Sequence, residues 1–186
     1  EENAFFSALR VFQTSIEPAY AVDLLDQGMQ LFSSYGYTTA QEGRGFASSL
    51  ATAEARAQRG ALPIDVALYL DYTVKDQMVA SPYYSGAGYE GIGYTNGFRI
   101  AGVKLTIDGS PQGKTAWLTE PYFVAPHGQP ADYVGYPAVT EQQVNDEVMD
   151  AFASNRQILV HCNGDAAIDR YLNAIERAVA VHGLGD

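Results

Sequence analysis

The chain has 186 residues, with 11 basic and 22 acidic side chains, a formal net charge of −11 and 47% hydrophobic content. That is enough apolar material for one domain with a real core, and the acidic balance argues against nucleic acid and anionic membrane surfaces as partners. One cysteine, Cys162, excludes an internal disulfide framework. It fits a reducing, cytoplasmic setting, and no stretch approaches the roughly 20 apolar residues of a membrane helix. The first residues, Glu1-Glu2-Asn3-Ala4, carry acid where a signal peptide carries base, so the chain is expected to be the interior of a longer protein.

Residues 18–34 read as an amphipathic helix with Val22, Leu25, Met29 and Phe32 on one face and a left-handed stop at Gly36. A short strand is expected over 37–41, followed by an Ala-rich helix over 47–59 that Gly60 ends. Residues 64–72 form a second, mostly apolar strand. Residues 81–98, with five Gly and four Tyr, read as a loop. A third strand runs from Arg99 to Ile107, and a long Gly/Pro-rich connection follows from Asp108 to Pro137, of a length usually reserved for lids and binding loops. Thr140 and Gln143 have the capping-box spacing for a helix whose buried face is Val144, Val148, Met149 and Phe152. A fourth strand covers 157–160. Asp165 is expected to cap a last helix with an apolar stripe of Ile168, Leu172, Ile175 and Val179, stopped at Gly183.

Apolar strands separated by helices indicate a parallel sheet covered by helices. Four β/α units are visible where a closed barrel needs eight in roughly 250 residues. The expected fold is therefore α/β, as part of a (β/α)8 barrel or as a small open domain.

Chemistry in such folds collects at the carboxyl ends of strands. Gln41 and Glu42 follow the first strand in this reading, Asp71 ends the second, Asp108 follows the third and His161 ends the fourth. Lys104 is the odd member, because a dry, charged lysine in an apolar strand costs several kcal/mol unless paired or modified. On pattern alone, an outward snorkelling lysine or a salt bridge with a nearby carboxylate is the plainer explanation. His161 is a candidate for a metal or for proton transfer, or a satisfied core histidine. Cys162 beside it points to the other face of the strand, which disfavours a Cys–His pair. His182 at a helix end is explained by the helix dipole. There is no Walker A loop, no GxGxxG after a strand and no CxxC.

Four segments in order go further. Val103-Lys104 with Asp108-Gly109-Ser110, Thr115-Ala116 and Glu120-Pro121-Tyr122 resembles a signature of the YtcJ-like branch of the metal-dependent amidohydrolases. Val160-His161-Cys162-Asn163-Gly164-Asp165-Ala166-Ala167-Ile168-Asp169 is similar to a second one. Gly36-Tyr37-Thr38-Thr39 and Glu2-Asn3-Ala4 look like two smaller motifs. The resemblance covers essentially the whole chain and implies a central slice of the barrel, roughly strands two to five, from residue 1 to 186. It also implies a divalent metal, zinc being the usual one, with Lys104 as a carboxylated fourth-strand ligand and His161 as the fifth-strand ligand. Such an ion lowers the pKa of a bound water to roughly 7 and polarises a scissile carbonyl. The implied substrate is a small amide or N-acyl compound cleaved at its C–N bond, with Asp108, Trp117 and Tyr122 at the substrate. The aromatics Tyr83, Tyr84, Tyr89, Tyr94 and Phe123 are expected either to line the pocket with them or to pack against the rest of a barrel.

The sequence also departs from the family pattern. No HxH pair is present, the sixth-strand histidine and eighth-strand aspartate would fall beyond Asp186, and Asn163 stands where the family often has Ile. The chain by itself is therefore expected to be inactive. Two other readings compete: a non-catalytic α/β binding or assembly domain, prone to pair with a second copy through exposed sheet edges, and a complete flavodoxin-like domain, for whose phosphate or flavin loop residues 41–45 are a poor match.

Overall fold

The computed structural model describes residues 8, 11, 17–84 and 93–184. Glu2-Asn3-Ala4, Tyr89 and the middle of the 81–98 loop lie outside the described residues. The elements in chain order are α1 (Pro18–Ser34), β1 (Thr39–Gly45), α2 (Ala47–Gln58), β2 (Asp65–Asp71), a 3₁₀ helix (Tyr72–Ala80), β3 (Phe98–Thr106), α3 (Glu141–Ala153), β4 (Gln157–His161) and α4 (Asp165–His182). The strands form one sheet in the order β1-β2-β3-β4, and the β1–β2 and β2–β3 pairs are parallel. Sequential order is what consecutive β/α units of a barrel produce, whereas a flavodoxin-like sheet places its second strand outside the first. This is a partial TIM-barrel-like α/β fold. No described helix is long and apolar enough to cross a membrane.

The described residues form two compact units. The N-terminal unit holds 17–84 and 93–104 together with Arg156–Leu159; the C-terminal unit holds Leu105–Asn155 and 160–184.

In the N-terminal unit, α1 and α2 cover one face of the sheet. Met29, Leu50, Ala53, Leu68, Leu70 and Phe98 belong to its core, and each large side chain there contributes about 1.5–3 kcal/mol by leaving water. The stop after α1 is as expected. Gly36 adopts φ +85°, Gly36 N donates to Ser33 O and Tyr37 N donates to Phe32 O, a Schellman closure. Phe32 is exposed rather than in the core, because its ring packs on Tyr37 across that closure, 5.5 Å between centroids.

β1 corrects the sequence reading. It runs over Thr39–Gly45 rather than 37–41, so Gln41 and Glu42 lie inside the strand, and residues 41–45 are not the phosphate loop a flavodoxin-like domain requires. The Gly-rich stretch continues the ladder because β2 supplies parallel partners along it, Gln41 opposite Ala67 and Gly45 opposite Leu70. The sheet is strongly curled. β1 and β4 would stand roughly 14 Å apart in a flat sheet, yet a Cβ at Gly43 would lie 3.7 Å from Leu159 Cδ2. From β2 the Tyr69 hydroxyl reaches past β3 to donate to Gln157 Oε1 at 2.8 Å. Such curvature belongs to barrel strands.

A bulge decides where Lys104 points. On β3, Ile100 pairs with Leu68 but Gly102 pairs with Tyr69, so Ala101 is the extra residue and the alternation changes phase. A Cβ at Gly102 would lie 2.2 Å from Gln157 O, so only glycine admits the neighbouring backbone there. Before the bulge the even-numbered residues Phe98 and Ile100 are buried; after it Val103 and Leu105 are, and Lys104 is half-buried. The shift sets Lys104 in register with Asp71.

In the C-terminal unit α3 begins as expected. Gln143 N donates to Thr140 Oγ1 at 3.2 Å and Thr140 N donates to Gln143 Oε1 at 2.9 Å. Val144 and Val148 are fully buried, and Ala151 joins them. α4 departs from expectation twice. Its N-cap is Gly164, and Asp165 is the first helical residue. Its buried face is Ala167, Ala174 and Ala178, while Ile168 and Leu172 are 40% and 50% exposed. Small residues let α3 and α4 approach closely, which rotates the larger residues of the stripe outward.

Candidate active site

Each unit carries one cluster of polar side chains at the end of its own strands. In the C-terminal unit the centre is Asp108, whose side chain is 0% exposed. Oδ2 accepts from Trp117 N at 2.9 Å and Gly164 N at 2.7 Å, and Oδ1 accepts from Asn163 N at 2.9 Å. One carboxylate thus ties the 109–117 turn to the turn between β4 and α4. The approach is close: a Cβ on Gly164 would sit 1.8 Å from Trp117 O. All three of these donors are backbone amides.

His161 ends β4 with a third of its side chain exposed, its Nε2 3.9 Å from Asp108 Oδ1. Ile107 N donates to His161 O at 2.9 Å and fixes the backbone. Asn163 Nδ2 lies 3.1 Å from His161 Nε2 and donates to Gly109 O at 2.9 Å; His161 Nε2 is 3.2 Å from the same carbonyl. With the imidazole proton on Nδ1 the Asn163 amide donates to Nε2, and with it on Nε2 that nitrogen donates to Gly109 O. A neutral imidazole with a lone pair on Nε2 is the form a metal takes.

The long connection has little regular structure but is well tied down. Leu118 N donates to Val134 O and Tyr122 N to Tyr133 O; the Tyr122 hydroxyl donates to Ala116 O at 2.8 Å, and its ring stacks on Tyr133. Burial, with Tyr133 and Asp108 nearby, pushes the Tyr122 hydroxyl above its ordinary value of 10.0. Trp117 lies under the Arg170 guanidinium, 4.3 Å from Cζ to ring centroid. Asp165 accepts from Thr119 N at 2.9 Å and from the Thr119 hydroxyl; these bonds hold its carboxyl below the ordinary 3.8. Phe123 is fully exposed.

In the N-terminal unit Asp71, at the end of β2, is buried too. Its Oδ2 accepts from Arg44 Nε at 2.8 Å, and its Oδ1 accepts from Thr73 N at 3.1 Å and Thr73 Oγ1 at 2.6 Å. Burial alone would raise the Asp71 carboxyl, but the bonds from Thr73 and Arg44 outweigh it and hold the pKa below 3.8. Lys104 is its register partner on β3. Tyr83 is a core residue, 5.0 Å from the Phe98 ring, and Tyr94 lies under Arg99.

Of the residues singled out from sequence, Asp108, Trp117 and His161 come together in one cluster with Asn163, and Lys104 lies in the other with Asp71. Sequence reasoning missed the roles of Arg44 and Thr73, although the Asp–x–Thr spacing of 71 and 73 is a signal for a side chain bonding its own backbone two residues on. Among the described residues no group of three or more His, Cys, Asp or Glu stands ready to hold a metal ion.

The family model described as Amidohydrolase family matches residues 1–186. The chain belongs to the amidohydrolase family. Among solved structures, this family member is similar to an uncharacterized metal-dependent hydrolase from Pyrococcus horikoshii OT3, at a TM-score of 0.75 and 20% identity over 95% of this chain and 34% of that one. It is also similar to an uncharacterized metal-dependent hydrolase from Pyrococcus furiosus, at a TM-score of 0.67 and 25% identity over 82% of this chain and 30% of that one. The amidohydrolase chain thus spans about a third of the length of these structural relatives. No curated protein matches the sequence.

Proposed function

We propose that this chain is the central portion of the barrel domain of a metal-dependent hydrolase that cleaves the C–N bond of a small amide or N-acyl compound, and that Lys104 and His161 are the ligands it supplies. His161 carries the reading: a part-exposed imidazole at a strand's carboxyl end, whose Nε2 contacts to Asn163 Nδ2 at 3.1 Å and Gly109 O at 3.2 Å are ones an ion can replace. Lys104 fits less directly, because an ammonium is no ligand. Carboxylation by CO2, with release of two protons from the ammonium, would convert it to a carbamate with oxygen donors at a half-buried position on β3. Zinc suits imidazole and carboxylate-type oxygen. A divalent ion held there supplies Lewis-acid polarisation of the scissile carbonyl and acidifies the attacking water.

The chain's own residues do the positioning. The three backbone bonds of Asp108 fix the turn that follows His161 and the start of the loop. Trp117 and Tyr122, braced by Arg170 and Tyr133, present ring faces suited to an apolar or aromatic part of the substrate.

The test is metal content by mass spectrometry with turnover of an amide panel, on the full-length protein and its His161→Ala and Lys104→Ala variants. Near-stoichiometric metal in the native protein, lost in His161→Ala, is expected, with activity of Lys104→Ala partly restored by acetate. Native turnover and metal content in His161→Ala would remove it from the site. The absence of a ready ligand cluster among the described residues favours a second reading for the 186-residue chain taken alone, a scaffold without catalysis. Stoichiometric metal in that isolated chain would overturn it.

A further inference from the structure

We propose that Arg44 is the anchor for a carboxylate carried by the substrate, so that this protein acts on anionic amides; this deepens the hydrolase reading above and rests on it. Arg44 stands near the carboxyl end of β1, one residue before the register pair Gly45–Leu70. Asp71 ends β2, and Lys104 is its partner on β3. The three residues cross the end of the sheet where ligands bind in folds of this class, and Arg44 and Lys104 are two strand spacings apart, roughly 10 Å. An arginine side chain and a substrate of the size of a substituted benzamide bridge that gap.

The contacts of the guanidinium distinguish an anchor from a brace. Asp71 is 2% exposed and binds Nε alone, while the Arg44 side chain is 41% exposed. Among the described residues the two terminal nitrogens, Nη1 and Nη2, have no hydrogen-bond partner. The Phe46 ring lies 5.5 Å from Cζ, and Arg44 N donates to Glu42 Oε1 at 2.9 Å, which fixes the backbone. A pair serving only the fold would present the fork to the buried carboxylate, since the bidentate arrangement is the stronger one. Here the buried acid holds the inner nitrogen and the planar fork is left oriented and open, the geometry that recognises a carboxylate. Lys104, while an ammonium, adds positive charge to the same row, and once carboxylated it leaves Arg44 as the cation there.

The test uses the full-length protein and two probes that differ only in charge, 4-acetamidobenzoate and 4-acetamidobenzamide. Binding of each is titrated calorimetrically with the metal chelated, so that no turnover intervenes, and kcat and KM are measured on the metal-loaded protein. The native protein is expected to bind the acid at least tenfold more tightly than the amide. Arg44→Met should erase that preference by weakening the acid about tenfold to a hundredfold while leaving the amide unchanged, and Arg44→Lys should keep part of it. If Arg44→Met fails to fold because Asp71 is left bare, the double variant Arg44→Met/Asp71→Asn removes the stranded charge and carries the same expectation. Equal binding of both probes by the native protein, or equal weakening of both in the variants, would reduce Arg44 to a structural brace. A native protein that takes up no metal but still prefers the acid would sink the hydrolase reading and leave the carboxylate anchor standing.

Discussion

Two aspartates, each at the end of a strand and each buried, are satisfied in different ways. Asp108 accepts from three main-chain amides, and the His161 Nε2 lies 3.9 Å from its Oδ1. Asp71 accepts from Thr73 and from one nitrogen of a half-exposed arginine. Main-chain donors cannot leave, so the first carboxylate is a clasp that sets the course of the chain. A side-chain donor has other atoms to offer, so the second carboxylate fixes a group whose far end is available for chemistry. Burial of an acid thus says little about its role until its donors are named.

The largest expected effect is at the clasp. Asp108→Ala strands three amides at once and should cost about 3 kcal/mol or more, lowering the denaturation midpoint without changing the denaturant slope. Gly164→Ala attacks the same clasp sterically, since the new Cβ would lie 1.8 Å from Trp117 O; a loss of about 2–3 kcal/mol is expected. If it is tolerated without loss, the two turns are not held together as tightly as the clasp requires. Asp71→Asn should cost less, roughly 1–2 kcal/mol near neutral pH, because the partner arginine reaches water. Its pH dependence is the sharper check. The folded carboxyl titrates below 3.8, so the native advantage over Asp71→Asn should be full above that value and fade as the pH falls through the lower folded value. An advantage that persists in acid would mean the charge is not what matters. Smallest is Thr73→Val, which removes one hydroxyl bond to Asp71 while the Thr73 amide bond remains, and should cost about 1 kcal/mol in thermal unfolding.

Much of the fold was legible in residues that act locally. The Gly36 stop, the Thr140–Gln143 box and the alternation of apolar strands with helices need only neighbours a few positions away, and the ordered motifs around Lys104 and His161 placed the chain in its family. What was not legible depended on pairing between distant segments. The extent of β1 depended on partners 26 residues further along the chain, Gln41 opposite Ala67. The outward turn of Ile168 and Leu172 depended on how closely α3 lets α4 approach. The family motif implied Asp108 at the substrate, and only the tertiary structure shows the three amides that converge on it.

The sequence by itself determined a parallel α/β architecture and most of its helix ends, because periodicity, caps and turn chemistry act over a few residues, and its resemblance to the family named Lys104 and His161 as candidate ligands. The tertiary structure decided what those residues do. The bulge at Ala101 moved Lys104 out of the packed face and opposite Asp71, and the hydrogen bonds of two buried carboxylates made one a clasp and the other a mount for Arg44. The physical reason is that side-chain phase in a strand, and the donors a buried acid finds, are fixed by backbone brought in from elsewhere in the chain, which no local pattern encodes.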